Sequence, residues 1–338
     1  MTKACTNLLF GKLANLMGRR KLLIIGWLFA IPVPIILINA NFWSWIIFAN
    51  ILLGINQGLT WSSTVNMKID LVGLKDRGFA MGLNEFSGYL ALGITAYLTG
   101  FIAQNYGLTP YPFYLGLIVA IIGLFLSVLF VKETTPFVNM EMQKNTSKPY
   151  ENVFIETTLK NKTLSSVTQA GLVNNLNDGM IWGLLPILLL SLNLDNEKIG
   201  IIVAAYPIFW GFGQLFTGKM SDLYSKKKML FWGMLIQGVS IIFFTYTTNF
   251  ILLLSLSNIL GIGTAIVYPT FLTAIADESP PIQRAESIGA FRLWRDLGYA
   301  IGAIISGVTA DYFGIEYSIL IIGFITILSS FVIQLRMP

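Results

Sequence analysis

Gly218–Lys228 reads GKMSDLYSKKK, a short polar stretch set between two long apolar runs. It offers a Gly to turn the first run, an acid, Asp222, one helical turn on, and three consecutive lysines at its end. The same pattern stands near the N-terminus as Gly11–Lys21, GKLANLMGRRK, 207 residues earlier. That spacing then holds without an insertion: Gly26 maps to Gly233, Gly54 to Gly261, Asp70 to Asp277, Arg77 to Arg284, Gly82 to Gly289 and Gly116 to Gly323. Chance does not keep register over so long a stretch. The chain is a tandem duplication, and each repeat carries one copy of the motif.

Of the 338 residues, 55% are hydrophobic and 12% charged. Soluble domains are about one-quarter charged, so this composition belongs to a polytopic membrane protein. The net charge of +5 fits basic loops on one side of a bilayer, and no Lys/Arg run interleaved with aromatics points to nucleic acid. The chain has no His, which removes the commonest general base, metal ligand and pH switch. Cys5 is the single cysteine, so neither an internal disulfide nor a thiolate metal site can form. No cofactor and no metal are expected. Residues 1–10 lack the apolar core of a signal peptide.

Apolar runs of spanning length, about 17–25 residues, can be placed from the charges and turn residues between them. They fall at 22–41, 43–67, 78–104, 112–132, 164–192, 198–217, 229–248, 250–276, 284–311 and 315–335, ten complete spans. The only long polar stretch, 133–163, is the linker between 1–132 and 164–338. Lys12, Arg19, Arg20, Lys21, Lys75, Arg77, the linker lysines, Lys219, Lys226–Lys228, Arg284 and Arg336 share one side, while the opposite loops hold one cation, Lys198. Cation-rich loops stay in the cytoplasm, so the basic side and the C-terminus are expected there, in the plasma membrane.

The two motif copies resemble the G-x-L-(A/S)-D-R-x-G-R-(R/K)-(R/K) loop that the major facilitator superfamily places between the second and third spans of each six-span half. The resemblance extends over the whole chain through the repeat, the long linker, and an Asp and an Arg bracketing the loop after the fourth span of each half. It departs in two places: Asn15 replaces the family Asp in the first copy, and the second copy lacks the Gly and the arginines at its end. The resemblance implies an all-helical membrane fold of two pseudo-symmetric halves, acting as a monomer. Under the repeat, the counterpart of Leu164–Leu192 would begin before Met1. The first half is thus expected to lack its first span and nearly all of its second, with Thr6–Phe10 as that span's last turn. Either the start codon is misassigned or the chain is a fragment.

In the superfamily such loops latch the two halves on the cytoplasmic side. Here Gly11 and Gly218 begin the motifs, and Asp222 can meet the positive N-terminal end of a neighbouring helix. Lys226 and Lys227 are expected to pair with Asp277, which Arg284 can also reach. In the first half Arg19 or Arg20 is expected to pair with Asp70, with Arg77 beside it. The plainer reading makes these topology-setting cations and exposed acids.

Charges within spans cost about 2.5–3.5 kcal/mol each by insertion scales and are functional candidates by default. Away from the span ends they are Glu85, Asp178, Arg292, Arg295 and Asp296. The repeat maps Glu85 onto Arg292, so a Glu85–Arg292 contact is attractive. A local Arg292–Asp296 pair, four residues apart on one helix face, is the alternative. Asn174, Asn177, Asp178 and Trp182 form a polar-aromatic stripe with no basic residue in its own helix. It is read either as substrate-facing or as interhelical hydrogen-bond glue. By resemblance the first and fourth spans of each half line the central cavity, which adds Asn56, Gln57 and Trp61, with Tyr268 at the position equivalent to Trp61. Asn50 stands where many members carry an Arg ahead of Gly54, and 82–100 lacks the Gly-Pro motif of drug/proton antiporters. Both weaken a drug-efflux assignment.

The function expected is secondary transport of a small organic solute by alternating access, coupled to protons carried by Glu85, Asp178 or Asp296. A transporter-like sensor or scaffold, or a non-functional truncated fragment, is the alternative. An enzyme is poorly supported, because the chain has no His, metal-ligand cluster or nucleophile motif.

Overall fold

The computed structural model describes residues 1–73, 75–144 and 148–338, so the expected linker includes three residues, 145–147, outside the described set. Among the described residues every regular element is helical. The first repeat contributes α1 (Thr2–Met17), α2 (Arg19–Ala30), α3 (Pro32–Ile38), α4 (Trp43–Val72), α5 (Arg77–Tyr106) and α6 (Tyr111–Leu129). The linker holds α7 (Thr135–Lys144) and the short α8 (Val153–Ile155), which runs into a π-helical turn, Glu156–Lys160. The second repeat holds α9 (Lys162–Ser191), α10 (Asn196–Leu223), α11 (Lys226–Phe243), α12 (Phe250–Glu278), α13 (Arg284–Phe313) and α14 (Ile315–Arg336). Each of the ten expected spans falls on this helical framework.

Local chemistry sets the ends. The side chains of Asn161, Asp195 and Asn249 accept backbone N–H bonds at the starts of α9, α10 and α12. Such caps satisfy donors that a helix leaves unpaired in its first turn. Pro32 and Pro34 open α3 one residue after α2 ends, and the missing N–H of Pro32 fits the break between them. Among the described residues, seven helical segments are long and apolar enough to cross a membrane: Arg19–Ile38, Arg77–Tyr106, Tyr111–Leu129, Asn196–Leu223, Lys226–Tyr246, Phe250–Glu278 and Ile315–Arg336. The polar residues of α4, α9 and α13 lower their hydropathy; many of them are buried.

The motif itself corrects the sequence reading. Gly11–Met17 and Gly218–Leu223 are helix, not loop. The first copy breaks only at Gly18, whose φ of +83° is a conformation that favours glycine, and the second only at Tyr224–Ser225. The helix expected to end at Thr6–Phe10 therefore continues to Met17.

Two compact units result. The first comprises Met1–Gly73, Ser87–Tyr150 and Pro280–Leu293, and the second Leu74–Phe86, Glu151–Ser279 and Trp294–Pro338. The division runs through α5 and α13 at the same point of the repeat. Each unit thus holds the first turns of a helix whose remainder is assigned to the other. In the first unit α4 packs along α1, α2 and α3, around a core of Phe10, Ala14, Leu22, Leu59 and Ala285. In the second, α12 packs along α10 and α11, and α14 along α9 and α11. Its interior joins apolar side chains such as Leu230, Met234 and Ile322 to a polar seam, where Thr326 donates to Asn177 at 2.6 Å and Asn177 donates to Gln237 at 3.2 Å. Hydrogen bonds between helices hold a bundle together where lipid supplies no hydrophobic drive.

Candidate functional site

The second motif copy lies wholly in the second unit. Asp222 Oδ1 accepts from the backbone N–H of Gly78 at 2.6 Å, and Oδ2 from that of Phe79 at 2.9 Å. Those donors sit in the first turn of α5, so a carboxylate meets both unpaired N–H groups and the positive end of the helix dipole. The approach demands glycine: a Cβ on Gly218 would lie 2.6 Å from the Gly78 carbonyl oxygen and 2.8 Å from Gly82 Cα. The motif glycine is thus a close-packing residue rather than a turn. Beside it, Arg77 reaches Asp277 at 3.0 Å and Lys226 reaches the other oxygen of the same carboxylate at 2.8 Å. Lys227 is half-buried next to them.

The first copy lies wholly in the first unit. A Cβ on Gly11 would meet Glu286 Cα at 2.6 Å. The Asn15 amide donates to the Ile282 carbonyl at 3.0 Å and to the Glu286 carboxylate at 3.4 Å. Asp70 is buried between Arg19 at 3.3 Å and Arg284 at 3.7 Å, and the Thr134 hydroxyl donates to it at 2.9 Å. Arg284 also grips Glu141 through two parallel bonds of 2.6 and 3.0 Å, the strong bidentate form. Arg20 turns away, its guanidinium donating to the Val128 carbonyl at 2.7 Å.

These distances correct the expected pairing. Arg284 sits with Asp70 and Arg77 with Asp277, the reverse of the assignment by repeat, because the opening turns of α5 and α13 each pack in the unit built from the other repeat. The sequence placed Glu133, Thr134 and Glu141 in the polar linker and gave them no role. Glu133 accepts from the backbone N–H groups of Arg19 and Arg20 at 3.1 and 3.0 Å, capping α2. Its partial burial pushes the carboxyl up. Hydrogen bonds from the Thr135 hydroxyl and from the N–H groups of Arg20, Arg19 and Thr135 outweigh that and hold it below the ordinary range. The available signal was Pro136 in ETTP, a helix-start pattern placing a polar cap just ahead of α7.

A second cluster, also within the second unit, gathers round Asp178. The carboxyl is fully buried on α9, and the Tyr206 hydroxyl of α10 donates to it at 2.5 Å. The Tyr206 hydroxyl lies 3.3 Å from that of Thr264, and its ring belongs to a chain of tilted and edge-on contacts, Trp182–Tyr206 at 6.0 Å, Tyr206–Trp210 at 5.6 Å and Trp210–Tyr268 at 5.1 Å. The Arg295 guanidinium stands 5.3 Å over the Tyr268 ring, a cation–π geometry, and bonds Asp296 at 2.6 Å. The cation of its own helix, Lys162, lies at the start of α9 more than four turns away, but the field of Arg295 on α13 reaches Asp178. Glu85, buried, accepts from Asn84 at 2.9 Å and also lies within the electrostatic reach of Arg295.

Other expected members are placed differently. Asn177 serves as interhelical glue, as above, and Asn174 donates to its neighbour Asn175 at 3.3 Å. Asp296 takes its neighbour Arg295, and Arg292 Nη1 donates to Ser62 at 3.1 Å in the first unit. Ser62 in turn donates to Asn7 at 2.8 Å. Glu85 and Arg292 belong to different units. Asn56 donates to the Gly26 carbonyl at 3.0 Å, joining α4 to α2. Gln57 is exposed and borders a hollow with Trp43, Asn50 and Gly54, while Trp61 packs on Gly88. Trp61 stands in the first unit and Tyr268 in the second.

A sequence profile of the Major Facilitator Superfamily matches residues 1–159 and 168–338. The chain belongs to that superfamily. Its members are transporters rather than enzymes, and this chain is a multi-pass integral membrane protein. An uncharacterised MFS-type transporter of Methanocaldococcus jannaschii is 28% identical over 159 residues, 47% of this chain and 41% of its own length. The quinolone resistance protein NorA of Staphylococcus aureus is 29% identical over 133 residues, 39% of this chain and 34% of its own. The matches thus span less than half the length of these relatives. The human organic anion transporter MFSD10 superposes with a TM-score of 0.78 at 16% identity, over 98% of this chain and 81% of that one. The proton:xylose symporter XylE gives 0.77 at 14% identity, over 100% and 84%. Both likenesses are of fold.

Proposed function

We propose that this chain is a secondary active transporter that moves a small organic solute by alternating access with protons as the coupling ion. In this reading it lies in the plasma membrane with its basic loops in the cytoplasm. The observation that carries the proposal is Asp178, a fully buried carboxyl whose hydrogen-bond partner is the Tyr206 phenol rather than a guanidinium. A phenol can donate to a carboxylate or to the carbonyl oxygen of a carboxylic acid, so the partnership survives a change of charge. Intramembrane acids held in this way mark proton relays. Arg295, the cation within reach, is engaged by Asp296 and Tyr268. The rings of Trp182, Tyr206, Trp210 and Tyr268 beside it suit a solute with apolar or ring-bearing parts.

The motif residues form the cytoplasmic gate in this reading: Gly11, Arg19, Arg20, Asp70 and Arg284 in one set, Gly218, Asp222, Lys226, Lys227, Asp277 and Arg77 in the other. A relative named for quinolone resistance and a neighbour named as a proton:xylose symporter support a small organic solute and proton coupling. Purified protein in proteoliposomes, offered a panel of labelled solutes with and without an imposed pH gradient, tests the reading. Accumulation that collapses with the gradient is expected. Solute binding without net movement under any gradient would make the chain a sensor instead.

A further inference from the structure

The two motif copies dock on helix N-termini with their acid on opposite sides of the contact. In the second copy the acid that bonds the helix end comes from outside: Asp222 bonds the N–H groups of Gly78 and Phe79, the first turn of α5 has no acidic residue of its own, and Asp76 just ahead of it turns its carboxylate to Lys219. In the first copy the motif supplies the neutral Asn15, and the first turn of α13 carries Glu286. Glu286 is the repeat equivalent of Phe79, one of the two residues that Asp222 contacts. Asn15 turns its donor, not its acceptor, to the contact, and bonds both Glu286 and the Ile282 carbonyl. Gly11 is packed against the same turn, with Glu286 Cα 2.6 Å from the position of a Cβ. The contact is therefore as close as that of Gly218, and only the polarity is reversed.

We infer that Glu286 is a gate residue, the exchanged counterpart of Asp222, and that Asn15 and Glu286 form one donor–acceptor pair replacing the acid of the motif. Its role in gating rests on the transport reading, but the exchange itself does not. An anion near the first turn of a helix complements the dipole from either chain segment. Two anions facing each other there repel, and none leaves the turn uncompensated. Asn15→Asp alone makes the first situation and Glu286→Gln alone the second, while the double variant returns one acid, now on the motif side as in the second copy.

Hydrogen–deuterium exchange of the full chain in detergent, read on peptides covering 280–293 with 75–86 as the internal control, decides it. Each single variant should raise exchange in 280–293 about two- to fivefold, or ~0.4–1 kcal/mol at 1.4 kcal/mol per tenfold. The double variant should return to within about twofold of wild type, and 75–86 should not change in any of them. A residue of merely structural role gives no such rescue. The inference is overturned if Asn15→Asp leaves 280–293 as protected as wild type or more so, or if the double variant exchanges at the combined rate of the singles. Absence of transport in vesicles would sink the functional reading and leave this result standing.

Discussion

The first and second motif copies hold equivalent helix ends by different means, and the difference shows what the repeat preserves. Glycine against backbone is preserved, since Gly11 and Gly218 both sit where a side chain would collide. An aspartate between two cations is preserved too, Asp70 with Arg19 and Arg284, Asp277 with Lys226 and Arg77. The placement of the remaining charge is not. The second copy adds Asp222 across the contact, whereas the first relies on Glu286 within the docked helix and on linker groups, Thr134 and Glu141, which bond Asp70 and Arg284. Geometry is the invariant, and charge is supplied by whichever segment lies nearest.

Burial ranks the consequences. Asp70 and Arg284 are each 2% exposed, whereas Asp277 is 33% exposed against 1% for Arg77. Removing Arg284 leaves buried Asp70 to Arg19 and takes the bidentate partner from Glu141, a cost of about 1.5–3 kcal/mol. Arg284→Ala should therefore lower the apparent unfolding midpoint in detergent most. Arg77→Ala should lower it less, because water reaches Asp277. A larger loss for Arg77→Ala would break the comparison. Asp222→Asn comes next: it weakens two charge-assisted bonds at a partly exposed helix end, about 1–2 kcal/mol. It should also speed labelling of cysteines introduced on the basic side of a Cys5-free background, and unchanged labelling would count against the gate role. Lys219–Asp76, 2.8 Å apart, is an exposed ion pair screened by solvent. Lys219→Gln should leave both measurements where they were.

Much of this was legible in the sequence because the information was periodic. The repeat spacing, the span lengths and the acid at Asp222 needed no knowledge of which chain segments meet. The crossed pairing did need it. Nothing in the order of residues says that Arg77 leaves Asp70 for Asp277. Arg295 and Asp296 are adjacent, and neighbours on a helix do not normally face each other. The length of the arginine lets it fold back, which position counting cannot anticipate. Asn56 carried the right chemistry for a cavity, yet its amide satisfies the Gly26 carbonyl between two packed helices. Glu133, Thr134 and Glu141 were hidden by their setting, because acids and hydroxyls in a polar linker look solvated until a partner is placed beside them.

Asp178 differs from all of these charges. Asp70, Asp277 and Asp296 each meet a cation within 4 Å, while Asp178 is bonded by a phenol. The functional account turns on that contrast, and Asp178→Asn tests it most directly in proteoliposomes, by comparing solute exchange at zero gradient with accumulation driven by a proton gradient. Asparagine keeps the shape and accepts from Tyr206 but cannot carry a proton. Exchange should persist near the wild-type rate while gradient-driven accumulation is lost. Accumulation at the wild-type rate would contradict the account and move the proton to Glu85 or Asp296.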